Sequence, residues 1–317
     1  MDVISIGEAM VLFTPETSGP MRYARDYTSR IAGAEINTLI GLSKLGHQTG
    51  WISRVGSDEF GAMLKNAVRG EGVDVSEVAE DDEAPTGIFF KENVYGDHVR
   101  VHYYRKHSAA SFLNPESINE DYLTEAKVLY ITGITPALSD SCSKAVFHAI
   151  EKAKQHKMTI VLDPNIRYKL WTEEKARSTI IEIAGHSDIV FPGTSEGEFL
   201  FGTSDPEGIA EALHDLGPDT VVVKKGEEGA YYSCLSKKEQ GHAEGFRVKQ
   251  VIDPVGAGDG FAAGVVSGLL DGLPLKESVT RGCAIGALVT MVNGDIEGLP
   301  DRKTLELYLS TKSDVSR

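Results

Sequence analysis

Short apolar runs alternate along the chain with stretches whose apolar residues recur every three or four positions. The runs at 3–6, 50–55, 128–131, 159–162, 189–191 and 221–223 read as buried strands. Between them, helical spacing is visible from Asn37 through Leu45 to a stop at Gly46, over about 139–156 and 173–184, and after Pro206. Strand followed by helix, repeated this often, predicts a mostly parallel sheet covered by helices on both faces. One region breaks the rhythm. The β-branched and aromatic runs at 86–90 and 99–105, joined by Tyr95-Gly96-Asp97-His98, read as a hairpin. Together with the alternating polar segment 14–31, the hairpin predicts a small sheet inserted into the α/β body. The expected organisation is therefore a single domain over 1–317 with a discontinuous β lid from about 14–31 and 86–105.

The most informative stretch lies near the C-terminal third. Residues 246–252 alternate like a strand, and Phe261, Val265, Val266, Leu269 and Leu270 recur at helical spacing as far as Gly272. Between them stands Asp253-Pro254-Val255-Gly256-Ala257-Gly258-Asp259-Gly260. Backbone N–H groups at a helix start lack intrahelical partners and carry the positive end of the dipole. Glycines let such groups converge on an anion, so this turn can cradle a phosphate. A capping aspartate would account for Asp259 in an ordinary protein. The spacing matches neither GxxxxGK[ST] nor GxGxxG, and a carboxylate among phosphate-holding amides suits a base that takes a hydroxyl proton.

Composition narrows the partners. The chain has 317 residues, 41% of them hydrophobic and 25% charged, with a net charge of −15. That charge repels a nucleic-acid backbone or an anionic membrane surface, so a small anionic substrate needs locally placed arginines. Cys142, Cys234 and Cys283 are odd in number and widely spaced, and they read as reduced thiols. No basic leader precedes the first strand and no apolar run approaches the ~20 residues of a membrane span. A cytoplasmic protein is expected.

The 253–261 stretch resembles the C-terminal signature D-T-x-G-A-G-D-x-F of the PfkB (ribokinase-like) carbohydrate kinases, with Pro254 at the Thr position. The resemblance implies a ribokinase-like fold, Asp259 as catalytic base, and the backbone of Gly256, Ala257, Gly258 and Asp259 as anion hole. It implies ATP and Mg²⁺ as cofactors. Gly33 and Asn37, with Val55-Gly56-Ser57-Asp58-Glu59-Phe60-Gly61, resemble the family's N-terminal signature, in which the glycine and the inward Asn meet the sugar. Here Ala32 stands at the first glycine of that signature. Lys224, Gly226 and Gly229 fall where the family lines its nucleotide site. Glu196 falls where it helps to hold hydrated Mg²⁺, although Gly193 occupies the Asn position of that motif.

Asp163-Pro164-Asn165-Ile166-Arg167 follows a strand, so Asn165 and Arg167 should face the crevice at its carboxyl end. Asn165 is expected on the nucleotide side. The continuation to Leu170-Trp171, with Tyr103-Tyr104-Arg105-Lys106, is similar to the 2-keto-3-deoxygluconate kinases. That closer likeness brings Phe89, Tyr103, Arg105 and Arg167 towards the substrate and implies phosphorylation of a sugar acid. Without it, Arg167 would be read as a surface salt bridge. Rival readings are a family member acting on fructose, ribose or a nucleoside, a non-catalytic sugar- or nucleotide-binding regulator, and a nicotinamide oxidoreductase. An exposed apolar face on the small sheet would suggest a homo-oligomer formed through it.

Overall fold

The computed structural model describes residues 1–95 and 98–315. Its strands, in chain order, are β1 (Val3–Ile6), β2 (Met10–Pro15), β3 (Tyr27–Ala32), β4 (Thr49–Gly56), β5 (Val78–Asp81), β6 (Ile88–Tyr95) and β7 (His98–Tyr104). They continue with β8 (Val128–Thr132), β9 (Thr159–Asp163), β10 (Ile189–Val190), β11 (Thr220–Lys224), β12 (Gly229–Cys234) and β13 (Glu239–Glu244). Among the described residues these form a nine-stranded sheet, ordered β13-β12-β11-β10-β9-β8-β1-β4-β5, and a four-stranded sheet, ordered β3-β2-β6-β7.

The large sheet is parallel from β5 through β1 and β8 to β11. Strands β12 and β13 then add an antiparallel edge. Its central strands are apolar on both faces because helices cover both. Val3, Trp51, Tyr130, Val161 and Val222 face a core shared with the helices Ala34–Lys44, Ala257–Leu270 and Leu275–Thr290. Ile4, Ile52, Leu129, Ile160 and Val221 face a second core shared with the helix Asp140–Gln155. The helices Ala257–Leu270 and Leu275–Thr290 pack backbone to backbone. A Cβ on Gly264 would lie 2.7 Å from the Cα of Gly282. That contact fixes the helix carrying Asp259 against the body. No helix among the described residues is long and apolar enough to cross a membrane.

The small sheet departs in detail from the pattern-based expectation. It begins at Met10, and the segment before β3 includes a 3₁₀ turn at Met21–Tyr23. Strand β2 pairs antiparallel with β3 and parallel with β6, and β6 pairs antiparallel with β7. Within the turn expected at 95–98, Gly96 and Asp97 lie outside the described residues. A second expectation is corrected outright: 246–252 is not a strand. The sheet already ends at β13, and this segment hangs on the helix Leu275–Thr290 instead. The N–H groups of Ile252 and Asp253 both donate to the carbonyl of Thr290, at 2.8 and 3.2 Å. Alternation in a short polar stretch reports two-sided surroundings, and an extended loop between a helix end and solvent has those too.

Candidate active site

A cleft of about 440 Å³ lies between the two sheets. Its body wall comes from the carboxyl ends of β1, β9 and β11, where open α/β sheets hold ligands, and from the start of the helix Ala257–Leu270. Its other wall is the inward face of β6 and β7. Phe89, Lys91, Val99, Val101 and Tyr103 line it from alternate positions, as the period of two along a strand requires.

Asp259 sits in the first turn of its helix and is buried. Its Oδ2 accepts a hydrogen bond from Asn37 Nδ2 at 2.8 Å, and Asn165 Nδ2 stands 3.5 Å from Oδ1. Asn37 reaches it from the helix Ala34–Lys44, and Asn165 from the loop after β9, where it holds a φ of 37° that side chains rarely adopt. Burial is the main cause that pushes the Asp259 carboxyl up to about 7. The Asn37 hydrogen bond opposes that rise, the charges of Asp163 and Asp295 add to it, and Arg167 opposes it. A carboxylate poised there can take a proton at neutral pH.

The turn before Asp259 is shaped by Gly256, whose φ is 79°. A Cβ there would meet the carbonyl oxygen of Asp295 at 2.6 Å. Gly260 N donates to Gly256 O at 2.8 Å and closes the first helical turn. Among the described residues no backbone carbonyl takes the N–H of Gly258 or Asp259. A Cβ on Gly258 would find only Lys224 Nζ nearby, at 3.9 Å. Two free amides, the helix dipole and an ammonium thus converge on one open space. This donor set fits a phosphoryl group.

The other anticipated residues are placed as follows. Gly33 lines the cleft, but its lack of a side chain serves the chain itself, since a Cβ would come within 2.7 Å of the Glu8 carbonyl. Phe89 and Tyr103 stack with ring centroids 5.4 Å apart. Arg167 is exposed on the cleft wall. Arg105 lines the cleft yet is buried against Glu8, with which it forms an ion pair. Lys224 pairs with Asp163 at 2.7 Å. Glu196 accepts from Gly193 N at 2.7 Å and Ile166 N at 3.0 Å, and burial raises its pKa. Its oxygens therefore hold two loops together at the cleft floor. Ala257, Gly226 and Gly229 are not among the lining residues. Gly229 is packed between β12 and β13, where a Cβ would lie 2.1 Å from the Ala243 carbonyl. Gly226 has open space around it.

Several residues at the site carried no motif. Asp295 shares the Asn37 amide with Asp259, at 3.4 Å, and burial lifts it to about 6. The Oε1 of Glu35 accepts from the hydroxyls of Thr132 and Thr135, at 2.6 and 2.8 Å. Burial raises the Glu35 carboxyl. Lys91 reaches Asp253 at 2.5 Å. The period of two could have found Lys91, since it shares a strand face with Phe89. Asp295 had only a turn glycine beside it.

Of the four cleft cations, Lys91, Arg105 and Lys224 each hold a carboxylate of the protein. Arg167 is the one with no carboxylate partner among the described residues. A mostly parallel sheet with free amides and a lysine at a helix start, a buried carboxylate beside them and an aromatic sheet across the cleft is an arrangement suited to a carbohydrate kinase. The profile described as "pfkB family carbohydrate kinase" matches residues 1–302, and the chain belongs to that family. It is 42% identical over 317 residues to the 2-dehydro-3-deoxygluconokinase of Bacillus subtilis (strain 168), covering 99% of this chain and 97% of that one. Among solved structures it is similar to a PfkB protein from Polaromonas sp. JS666, with TM-score 0.88, 42% identity and coverage of 96% and 99%. It is also similar to an E. coli protein provisionally named Ribokinase II and solved with ATP and Mg²⁺. There the TM-score is 0.91, the identity 27% and the coverage 98% and 99%.

Proposed function

We propose that the protein transfers a phosphoryl group from ATP to the primary hydroxyl of 2-keto-3-deoxygluconate, another name for 2-dehydro-3-deoxygluconate, giving the 6-phosphate. The observation that carries the sugar-acid part is Arg167. It is a cleft guanidinium left free while three neighbouring cations are paired internally, in a protein of net charge −15. A planar guanidinium grips a carboxylate through two parallel hydrogen bonds. The likeness to the Bacillus subtilis enzyme supports the same acceptor.

ATP, bound together with Mg²⁺, would supply the phosphoryl group, and the metal would offset the charge of its phosphates. Asp259 orients the acceptor hydroxyl and takes its proton. The Gly258 and Asp259 amides, with Gly256 and Ala257 shaping the turn, stabilise charge on the transferred group, and Lys224 adds a cation beside it. Asn165 and Lys224 stand on the nucleotide side, with Gly226 and Gly229 shaping the β11–β12 corner further out. Glu196 and Asp163, which line the cleft with Lys224, would hold the metal through its water shell. Gly33, Asn37, Phe89, Tyr103 and Arg105 shape the sugar pocket. The small sheet acts as a lid within a single domain and excludes water from the reaction. The face turned away from the cleft packs Phe13 on Phe60 of the body and continues through Phe90 and Tyr27 to the exposed Tyr104 in edge or stacked contacts. That face supports association of two copies through it.

The test is a coupled assay of ADP release over sugar acids and neutral sugars. Keto-deoxy sugar acids should give the highest kcat/KM. Faster turnover of fructose or ribose would overturn the acceptor while leaving the kinase.

A further inference from the structure

The cradle turn is tied down at several points, and all but one of the ties come from the body. Ile252 and Asp253 hang from Thr290, and Gly256 passes so close to Asp295 that a Cβ would come within 2.6 Å of its carbonyl oxygen. Within the turn, Asp253 Oδ1 accepts from Val255 N at 3.2 Å. The other oxygen of the same carboxylate receives Lys91 Nζ at 2.5 Å. Lys91 stands at the middle of β6, on the small sheet. Among the described residues this is the one ion pair that joins the small sheet to the turn 253–259. Both side chains are largely withdrawn from water, 13% and 6% exposed. A pair so placed is held far more firmly than one at the surface. The Asp253 carboxylate therefore links the sheet that would lie over the sugar to the amides that would hold the phosphoryl group.

We propose that Lys91 is a positioning residue for phosphoryl transfer: through Asp253 it sets the cradle turn, so that the seating of the small sheet and the aim of the amides change together. This rests on the kinase reading above. Lys91 itself makes no bond to the reacting atoms. Its removal leaves Asp253 a buried, unpaired charge, free to rotate and release Val255 N–H, and the turn loses its register. A misplacement of about 1 Å at such a site lowers turnover about a hundredfold.

The experiment measures kcat and both KM values for the wild type, Lys91→Met, Lys91→Arg, Asp253→Asn and the double variant Lys91→Met/Asp253→Asn, with thermal melting of each. Asn at 253 keeps an acceptor for Val255 N–H but removes the charge. Lys91→Met and Asp253→Asn should each lower kcat by ~10–100-fold with KM values changed less than ~threefold, because the amides act on the transition state. Lys91→Arg should recover most of kcat. The double variant should be no slower than the worse single one, as expected for two residues acting as a unit. A Lys91→Met enzyme with wild-type kcat, a change confined to KM, or strictly additive losses would overturn the proposal. If Lys91→Met fails to fold, Asp253→Asn decides the matter: a lowered kcat supports the coupling and a wild-type kcat overturns it. Absence of ADP release by the wild type defeats the kinase reading itself, whereas normal wild-type turnover beside an unimpaired variant defeats only the coupling.

Discussion

The cleft has a body wall at the carboxyl ends of β1, β9 and β11 and a sheet wall on β6 and β7, and an arginine stands near each. Both Arg105 and Arg167 follow the same kind of motif logic in the sequence, a cation placed where a sugar acid would lie. Their surroundings differ. Arg105, just past the end of β7, is buried and held by Glu8, which also accepts from Ser108. Arg167, in the loop after β9, is exposed and lacks a carboxylate partner among the described residues. A buried cation must be neutralised from within, because its desolvation cannot await a substrate. An exposed one can wait. The sheet wall therefore uses its charge to fasten itself to the body, and the body wall leaves one charge unpaired, as the proposed capture of a sugar acid requires.

The largest break in this comparison is expected on the body wall. Asp259→Asn preserves shape and the cradle but cannot take a proton, and a positioned base contributes ~10²–10⁴-fold. Single-turnover and steady-state kinetics should show kcat lowered by at least that range with binding little changed. The wild type should show kcat/KM falling tenfold per unit as pH drops below about 7, where Asp259 becomes protonated. Because its folded pKa lies above the ordinary carboxylate value, Asp259 weakens folding as pH rises from about 4 to 7. Calorimetry should therefore find Asp259→Asn more stable than wild type, with the larger gain at pH 8 than at pH 4.

Glu8→Gln addresses the sheet wall. It leaves the Arg105 charge buried and unpaired, a change that typically destabilises by ~3–5 kcal/mol. Denaturant unfolding should register most of that loss. If stability is unchanged while KM for the sugar acid rises, Arg105 belongs to the ligand and the contrast between the walls fails.

The smallest effect sharpens the comparison. Arg167→Lys keeps the charge but not the fork, and a charge-assisted bond is worth ~1.5–3 kcal/mol. KM for the keto-acid should rise roughly ten- to a hundredfold, at ~1.4 kcal/mol per tenfold. KM for ATP and the melting temperature should barely move. Equal losses for neutral sugars would show that Arg167 acts on the structure of the wall rather than on the carboxylate.

Much of this was legible in the chain itself. Apolar strand runs and helical spacing are local properties, so they marked the parallel body and the inserted hairpin without any tertiary information. The turn 253–259 was equally legible, because a glycine turn leading into a helix has a chemistry that depends on neighbours in sequence. Tertiary structure alone decided what the charges do. Whether a lysine or arginine is free depends on a carboxylate that is distant in the chain, as Glu8 is from Arg105 and Asp253 from Lys91. The acidity of Asp259 likewise comes from burial and from Asp163 and Asp295, and no pattern within its own helix reports them. The edge strands β12 and β13 and the loop at 246–252 belong to the same class: pairing outward from β11 decided the strands, and the helix Leu275–Thr290 decided the loop.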